Sequence, residues 1–542
     1  MISYILKKLR YLKLLNVNYA DDQKKQGTSE YGQSTPIKLS QSLEKNLIAI
    51  RNLIGNNFDV IIREFSFGDH INVALIFLSG MTDQSMINEN IMKPLMSESH
   101  SSQNETLKIK DIAQIKARIL SVGGVNQYSS YDEIIDGCLS GQSILLLDEC
   151  NEALAIMTTN WKSRAVEEPK TESVVRGPRE GFTESLLTNT TLIRRKIMSP
   201  DLKIESMKLG SRTKTNVCIA YIQGIANPLL IEEIKRRLNR IKTDSILESG
   251  YVEQFIEDAP FSIFSTVANS EKPDAVAAKI LEGRAAILVD GTPFVLSVPM
   301  VLIESFQSSE DYYSRPFFAS LIRSIRFLAY FISIFAPSSY VALTTFHQEL
   351  IPTPLLFSMA GAQEGVPFPA VMEAIMMGII FEILREAGVR LPRPVGQAVS
   401  IVGALVIGES AVTAGLIGAP MVIVVALTAV SSFVVSAQSD SGGVLRITFV
   451  ILAGFIGIYG IVIGQLGVFI HLASLRSFGT PYLSPLAPLS IRDLKDTIIR
   501  APIWAMFTRP RTIGWHDPER QEFRLKPSSP SEETKEQNKA VR

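Results

Sequence analysis

Ionisable and amide side chains interrupt the long apolar runs in the second half of the chain. Glu373 and Glu409 each lie inside such a run without a basic neighbour in sequence, and Gln397 and Gln465 occupy comparable positions. A carboxylate in hydrocarbon is costly, so each of these groups must face protein, water or an interface. Two roles are open: the side chains line a path for ions, or they form a buried hydrogen-bond network between helices. Glu373 is the better pore candidate.

A second set of candidate functional residues is the basic cluster in residues 160–202. Its arginines are Arg176, Arg179, Arg194 and Arg195. Glycine and proline break regular structure around the first two, and a helix is predicted from Thr183. Exposed amides and guanidinium forks could hold a phosphate-like anion, although no P-loop or GxGxxG motif accompanies them. Alternatively the arginines pair with Glu180 and Glu184 or contact a neighbouring subunit.

The sequence carries no motif that indicates catalysis or metal binding. GxSxG, HExxH and P-loop patterns are absent, and scattered Ser, His and Asp residues show no spacing that favours a triad. Cys138, Cys150 and Cys218 lack CxxC spacing and are predicted to be buried free thiols. Basic and acidic residues number 54 each, so charge gives no reason to expect a nucleic-acid partner. We expect no enzyme activity, no metal and no cofactor.

The apolar runs that carry the polar groups are long enough to cross a bilayer. Composition changes abruptly at Leu321, and five stretches of about 20 residues follow. They cover residues 321–346, 366–384, 395–417, 421–437 and 444–475. Small residues crowd the third and fourth stretches, which permits close helix contact.

Basic residues flanking these stretches predict their orientation. Arginines precede the first stretch and separate the second from the third, and further basic residues follow the last. The positive-inside rule makes all three places cytoplasmic, which requires an even number of crossings. Five stretches conflict with that pattern. One resolution makes the fourth, which follows Gly418 and Pro420, a re-entrant or interfacial piece. Four or five membrane segments are therefore predicted.

The front half of the chain contains an internal repeat. NVALIFLSG at residues 72–80 resembles NVCIAYIQG at residues 216–224, and ILLLD at residues 144–148 resembles AILVD at residues 286–290. Chance similarity between buried strands is the alternative, because short apolar runs are ambiguous. Two nearly equal offsets over separated strands favour a duplication.

These patterns predict an α/β cytoplasmic region made of two related subdomains, followed by an α-helical multi-pass transmembrane domain. The N-terminus lacks the pattern of a secretion signal, so we expect the front half to be cytoplasmic. The predicted boundaries are a basic and polar tail (1–39), a first α/β subdomain (40–159), an Arg-rich connector (160–202), a second α/β subdomain (203–315), the transmembrane helical domain (316–475), a cytoplasmic C-terminal segment (476–511) and a disordered tail (512–542).

Several ordered motifs resemble one family. VRGPREGF at residues 175–182 and LIRR at residues 192–195 look like the signature of GerA-type A subunits of bacterial spore germinant receptors. TFHQE (345–349), EGVPFP (364–369), EAGVRLP (386–392), GQAVSIVGALVIG (396–408) and DLKD (493–496) resemble the same family in the same order. The resemblance covers about residues 174–510, and the order of the motifs makes it more specific than any one of them.

The resemblance implies a place and partners for the chain. Such a subunit lies in the inner membrane of the dormant spore of a Bacillus-type bacterium, beside a transporter-like B subunit that senses nutrients and a lipoprotein C subunit. It also implies a homo-oligomer, with five copies, that forms an ion channel opened when nutrient binds the complex. A partner's ligand would then bias a closed-to-open equilibrium.

Two other functions compete with the channel. A secondary transporter also uses intramembrane carboxylates and interrupted helices, but it usually carries an inverted repeat in its hydrophobic block, whereas the repeat here lies in the other half. A non-conducting scaffold for the sensing subunit would tolerate Glu373→Gln and Glu409→Gln as long as packing survived.

Overall fold

The computed structural model describes residues 37–55, 57–67, 71–97, 124–160, 174–390, 408–514 and 519–521, with the single residues 169, 172 and 527. The chain forms two compact units. The first extends to residue 159, except for residues 53–60 and 79–81, which belong to the second. Most of the two predicted tails and Gln397 lie outside the described residues.

The first unit is built on a five-stranded sheet with the order β1-β2-β4-β5-β3. Its strands are β1 Val60–Phe67, β2 Ile71–Leu78, β3 Val125–Tyr128, β4 Gln142–Leu147 and β5 Ala153–Met157. Its helices are α1 Leu43–Ile54, α2 (an α-turn Gln84–Met86, a π-helical piece Ile87–Met92 and an α-helical piece Lys93–Ser97) and α3 Tyr131–Leu139. The central strands β2 and β4 pair antiparallel, with Ile76 opposite Ile144. Both are almost entirely buried, which explains their apolar runs at residues 73–78 and 144–147.

The second unit contains an equivalent sheet with the order β6-β7-β9-β10-β8. Its strands are β6 Leu202–Leu209, β7 Thr215–Ile222, β8 Ala268–Ser270, β9 Ala285–Val289 and β10 Val295–Val298. Its helices are α4 Leu186–Lys196, α5 Pro228–Arg240, α6 Ser249–Ile256 and α7 Pro273–Leu281. One apolar cluster joins α5 and α6 to one face of the sheet, and a second joins α4 and α7 to the other. The sheet is therefore covered on both faces.

The two sheets repeat each other in side-chain contacts as well as in strand order. Buried Asn46 in α1 accepts from the amide of Ser40 at 2.9 Å and donates to its carbonyl at 2.6 Å. Buried Asn189 in α4 makes the same two bonds to Thr183, at 2.7 and 2.6 Å. These shared contacts support the predicted duplication.

In each copy, an aspartate after a central strand binds the start of the first helix in the same way. Asp148, after β4, accepts from the backbone amide of Leu43 at 2.9 Å, and Asp290, after β9, accepts from that of Leu186 at 3.1 Å. Each carboxylate thus lies at the first turn of a helix, where a negative charge is favourable.

The second copy begins earlier than the sequence suggested. Helix α4 lies in the stretch predicted as a connector, yet Leu192 and Ile193 are buried against the second sheet. The sequence comparison used apolar strands, whereas the shared feature of α1 and α4 is one asparagine bonded six residues back. That signal is polar and local, so strand matching missed it.

A helical block follows the second sheet. After a 3-10 turn, Leu302–Phe306, and the short helix α8 Glu310–Tyr313, its helices are α9 Pro316–Thr345, α10 Thr353–Gln363, α11 Ala370–Arg390, α12 Gly408–Thr413, α13 Ala419–Val434, α14 Ser439–Ile456 and α15 Ile458–Ser474. The chain then forms the two-stranded ribbon of β11 Arg476–Ser477 and β12 Thr480–Pro481. Residues 482–514 are mostly turns, with a 3-10 turn at Ile503–Ala505.

Contacts between side chains fix the directions of these helices. Phe335 in α9 packs on Phe449 in α14, with ring centroids 4.8 Å apart, and Ser333 accepts from Arg446, so α9 and α14 run parallel. Phe381 in α11 packs on Phe433 in α13. Together with the contact from Glu373 to Gly418, this shows that α11 and α13 also run parallel.

Gly457 divides the last predicted stretch into two helices. Its φ of 66° lies in the left-handed region, and a Cβ there would lie 2.7 Å from the His347 ring and 2.9 Å from Phe346. Gly460 lies against the backbone of Leu452, so α14 and α15 form an antiparallel hairpin. The prediction of one stretch over residues 444–475 was therefore wrong in this respect, because hydropathy alone does not register a turn made by glycine.

Two helices are long and apolar enough to cross a membrane: Pro316–Thr345 and Ser439–Ile456. Ala419–Val434 and Ile458–Ser474 are apolar but shorter. Length and composition therefore support two candidate spans among the described residues. The predicted four or five are not established by this criterion.

Candidate functional site

Glu373 lies in the first turn of α11 and points into the helical block. Its side chain is enclosed, since the residue is only 1% exposed. One carboxylate oxygen accepts a hydrogen bond of 2.8 Å from the backbone amide of Gly418. Among the described residues, no basic side chain forms an ion pair with this carboxylate. The compensation for its charge must therefore come from dipoles.

The partner amide belongs to the N-cap of α13. Gly418 has extended backbone angles there, and Pro420 occupies the first turn. The N-terminal end of a helix carries a partial positive charge, which stabilises a nearby anion. Pro420 has no N–H of its own to satisfy, and its fixed φ suits the start of a helix. The chain thus supplies Glu373 with a helix end instead of a basic residue.

Neutral polar groups and small residues enclose the same carboxylate. A Cβ on Gly418 would lie 3.5 Å from the Glu373 carboxylate and 3.6 Å from Gln363. Gln363 in turn donates to the Tyr340 hydroxyl at 3.1 Å. Tyr340 is buried in the apolar cluster that also contains Ala374 and Met421. The result is a small polar site within an apolar helix cluster.

The other predicted intramembrane residues are not part of this site. Glu409 in α12 is exposed on the surface of the chain, and Gln465 in α15 is half-buried. Gln397 lies outside the described residues. Glu373 was predicted to be a better pore candidate than Glu409, yet within one chain Glu373 is enclosed and Glu409 is exposed.

A charged cluster that was not predicted from the sequence lies around Arg446. Arg446 in α14 is buried, donates to the carbonyl of Ser333 at 3.0 Å and pairs with Glu382 at 3.2 Å. Glu382 also pairs with Arg385 at 2.8 Å. Arg446 lies inside a predicted apolar stretch, so it carried the same signal as Glu373, namely a charge where hydrocarbon was expected.

A further cluster lies where α9 begins. Asp311 in α8 is buried and accepts from Arg323 at 2.8 Å and from both terminal nitrogens of Arg326 at 2.8 and 2.9 Å. Burial alone would raise the pKa of Asp311, but the bonds and charges of Arg326 and Arg323 outweigh it and hold the pKa below its usual value.

The same cluster binds the C-terminal segment (residues 476–511) to α8 and α9. Arg323 is completely buried and also pairs with Asp496 at 2.7 Å. The hydroxyl of Tyr312 donates to Asp496 at 2.7 Å. Arg500 donates to the carbonyls of Ser314 and Tyr312, each at 3.2 Å. Three separate pieces of sequence therefore meet at one charged junction.

The basic group around residues 176–195 is divided by the structure. Arg194 is buried and forms a two-point pair with Asp59 at 2.9 and 3.0 Å, with a further bond to the Leu202 carbonyl. Arg195 pairs with Glu180 at 3.3 Å, as one alternative predicted. Arg176 and Arg179 are exposed. Only these last two stay accessible enough for a subunit-contact or anion role, which remains a prediction.

Comparisons with known proteins identify the family. The family model described as "Bacillus/Clostridium GerA spore germination protein" matches residues 49–512. Spore germination protein KA of Bacillus subtilis is 49% identical over 90% of this chain and 89% of its own length. Spore germination protein GerLA of Bacillus cereus is 38% identical over 89% of this chain and 97% of its own length.

A B. subtilis protein described only as an uncharacterized membrane protein, YfkQ, is 42% identical over 90% of this chain and 93% of its own length. The crystal structure of the N-terminal domain of the A subunit of the Bacillus megaterium spore germinant receptor GerK3 matches 49% of this chain and 97% of that chain, with 37% identity and a TM-score of 0.39. On the family model and the relatives of high identity, the chain belongs to the GerA family of spore germinant receptor A subunits.

Proposed function

We propose that this chain is the channel-forming A subunit of a nutrient-responsive spore germinant receptor. Copies of it, five by family resemblance, assemble with a transporter-like B subunit and a lipoprotein C subunit in the inner membrane of the spore. The α/β region faces the cytoplasm, and the assembly releases ions when a nutrient binds. The chain makes and breaks no covalent bond in this role and needs no cofactor.

The observation that carries this proposal is the outward position of Glu409. Within one chain Glu409 is exposed, together with Ser410, Thr413 and Leu416, on a helical block that presents many large apolar side chains outward. A charged group at such a place is costly against lipid, so in the membrane it faces water or another protein surface. Several copies arranged around a common axis would place their Glu409 carboxylates along a hydrated path, as rings of acidic groups do in cation channels.

The path of the chain supports six membrane crossings. We take α9, α11, α13, α14 and α15 as five of them and the predicted stretch at residues 395–417 as the sixth. The hairpin at Gly457 contributes the crossing that the five apolar stretches lacked. With six crossings, the chain enters and leaves the helical block on the cytoplasmic side, in agreement with the positive-inside rule. No re-entrant segment is needed.

The test is ion flux through proteoliposomes that contain the A, B and C subunits. We expect nutrient-triggered flux in the wild type and at least a tenfold change in rate or selectivity for Glu409→Gln. Glu349→Gln is the matched control, because Glu349 is an exposed carboxylate in the turn after α9, and it should behave as wild type.

Other outcomes point to the competing functions. No flux from a correctly assembled complex would favour the scaffold. Flux that saturates with substrate and requires an ion gradient in fixed stoichiometry would favour a secondary transporter. Unchanged flux in Glu409→Gln with normal assembly would remove the role of Glu409 in conduction.

A further inference from the structure

A loop of the second α/β subdomain exposes a complete aromatic side chain. Phe261 is fully exposed, and Ile263, two residues further along the loop, is also exposed. In helix α6, which ends five residues earlier, Tyr251 and Phe255 are exposed as well. Residues four apart in a helix share one face, so this end of the subdomain presents several large apolar groups outward. Together we call Phe261 and Ile263 the loop tip.

The loop tip is held against the end of helix α15. The hydroxyl of Ser262 lies 2.9 Å from Nε2 of His471. The amide of Phe264 donates to the same hydroxyl at 3.1 Å, and the Phe264 ring lies 6.2 Å from the His471 ring. Phe264 is buried in the cluster that contains Leu472. The loop is thus fixed immediately after Phe261, at Ser262 and Phe264, while Phe261 itself is left outside.

The outer surface of α15 next to this contact is apolar. Leu466, Phe469 and Ile470 are exposed along the helix just before His471. Immediately after the helix, Arg476 is an exposed basic residue. An apolar helix surface that ends in an aromatic residue and a basic residue is the arrangement found at a membrane–water interface, where aromatic rings and cations meet the headgroups. The loop tip continues this surface at the level where α15 leaves the apolar region.

From this placement we infer that the loop tip inserts Phe261 into the headgroup region of the cytoplasmic leaflet and anchors the second α/β subdomain to phospholipid. The inference rests on the proposed placement of α15 in the membrane. The anchor lies beside the contact between Ser262 and His471. The α/β subdomain is therefore held both by the bilayer and by α15.

The experiment measures the surroundings of single labelled positions in full-length protein reconstituted into phospholipid vesicles. An environment-sensitive NBD dye is attached to Phe261→Cys in a Cys150→Ser background, since Cys138 and Cys218 are buried. Two matched positions are labelled in the same way: Ile463→Cys, exposed along α15, and Leu229→Cys, exposed on α5 of the α/β subdomain. Aqueous iodide and phospholipids spin-labelled near the headgroup or at mid-chain serve as quenchers.

We expect the dye at position 261 to be quenched at least twofold more by the headgroup spin label than the dye at position 229, and to be protected from iodide. Quenching by iodide to the same extent as at position 229 would overturn the inference. Protection from both iodide and lipid labels would also overturn it, because a second copy of the chain would then cover the loop tip.

The dye at position 463 tests the membrane placement of α15 separately from the anchoring by Phe261. If mid-chain lipid labels quench it while position 261 reports water, α15 is in the membrane and only the anchor is wrong. If lipid labels do not reach position 463 and iodide quenches it as strongly as position 229, the proposed placement of α15 fails, and the anchor fails with it.

Discussion

Two buried carboxylates in the second unit are stabilised in opposite ways. Asp311, where α9 begins, accepts hydrogen bonds from Arg323 and Arg326. Glu373, in the first turn of α11, accepts from the amide of Gly418 at the N-terminus of a helix. The first is a charged junction with full ionic compensation, and the second has dipolar compensation alone.

The difference distinguishes a structural ion pair, at Asp311, from a site that can bind a proton or a cation, at Glu373. An ion pair buried with two arginines holds its charges in one state, because removing either partner leaves an uncompensated charge. A carboxylate that relies on one amide and a helix end can accept a proton or a cation at much lower cost. We therefore expect substitutions at Asp311 to act on stability, and substitutions at Glu373 to act on conduction.

The largest effect should come from Asp311→Asn. The amide cannot compensate Arg323 and Arg326, so the helical block should lose about 3 to 5 kcal/mol of stability. Thermal unfolding of the protein in lipid nanodiscs measures this loss, with Glu349→Gln as a control that keeps the wild-type midpoint. A midpoint within one degree of wild type would mean that the junction is not structural.

The acid dependence of stability should follow the same carboxylate. Since the pKa of Asp311 is lowered in the folded state, its contribution is complete above its unfolded pKa of about 4 and is lost as the pH falls further, through the folded pKa. The difference in midpoint between wild type and Asp311→Asn should therefore be constant from pH 8 to 5 and shrink below pH 4. A difference that grew on acidification would contradict the assignment to Asp311.

The sequence could indicate one of these two sites but not the other. Glu373 was predicted because a charge inside an apolar run is informative by itself. Its partner Gly418 could not be predicted, since it lies 45 residues away and depends on how α11 and α13 pack. Asp311 lies in the ordinary acidic segment EDYY, where nothing local marks it as buried. Only the meeting of α8, α9 and the segment around Asp496 makes it so.

Part of the fold could likewise be predicted from the sequence, and part could not. The duplicated strands were visible because buried strands keep apolar residues in both copies, whereas the equivalent of α1 lay hidden in the predicted connector. Its marker, Asn189 bonded to Thr183, depends on a polar contact that no hydropathy pattern records. Gly457 was equally hidden, because the residues on both sides of it are apolar.

Glu373→Gln should have a smaller effect on stability and a clear effect on flux. The amide oxygen of glutamine can still accept from Gly418, so we expect a loss of about 1 kcal/mol or less. Nutrient-triggered flux of the assembled receptor should nevertheless change severalfold, because the ionisable group is gone. Glu373→Asp is the matched control for charge: it keeps the carboxylate but shortens its reach. Normal flux in Glu373→Gln with normal assembly would make the site structural.

The smallest effect should come from Tyr340→Phe, which tests whether the polar surroundings of Glu373 matter. The substitution removes the hydroxyl that accepts from Gln363 at 3.1 Å and leaves the ring in its apolar cluster. We expect a loss of only about 0.5 kcal/mol, because half-buried Gln363 can bond to water instead. If Gln363 orients the site for Glu373, the flux of Tyr340→Phe should shift in the same direction as that of Glu373→Gln, and the double variant should show less than the sum of the two effects. Additive changes would mean that Tyr340 and Glu373 act independently, so that Glu373 depends on the helix end at Gly418 alone.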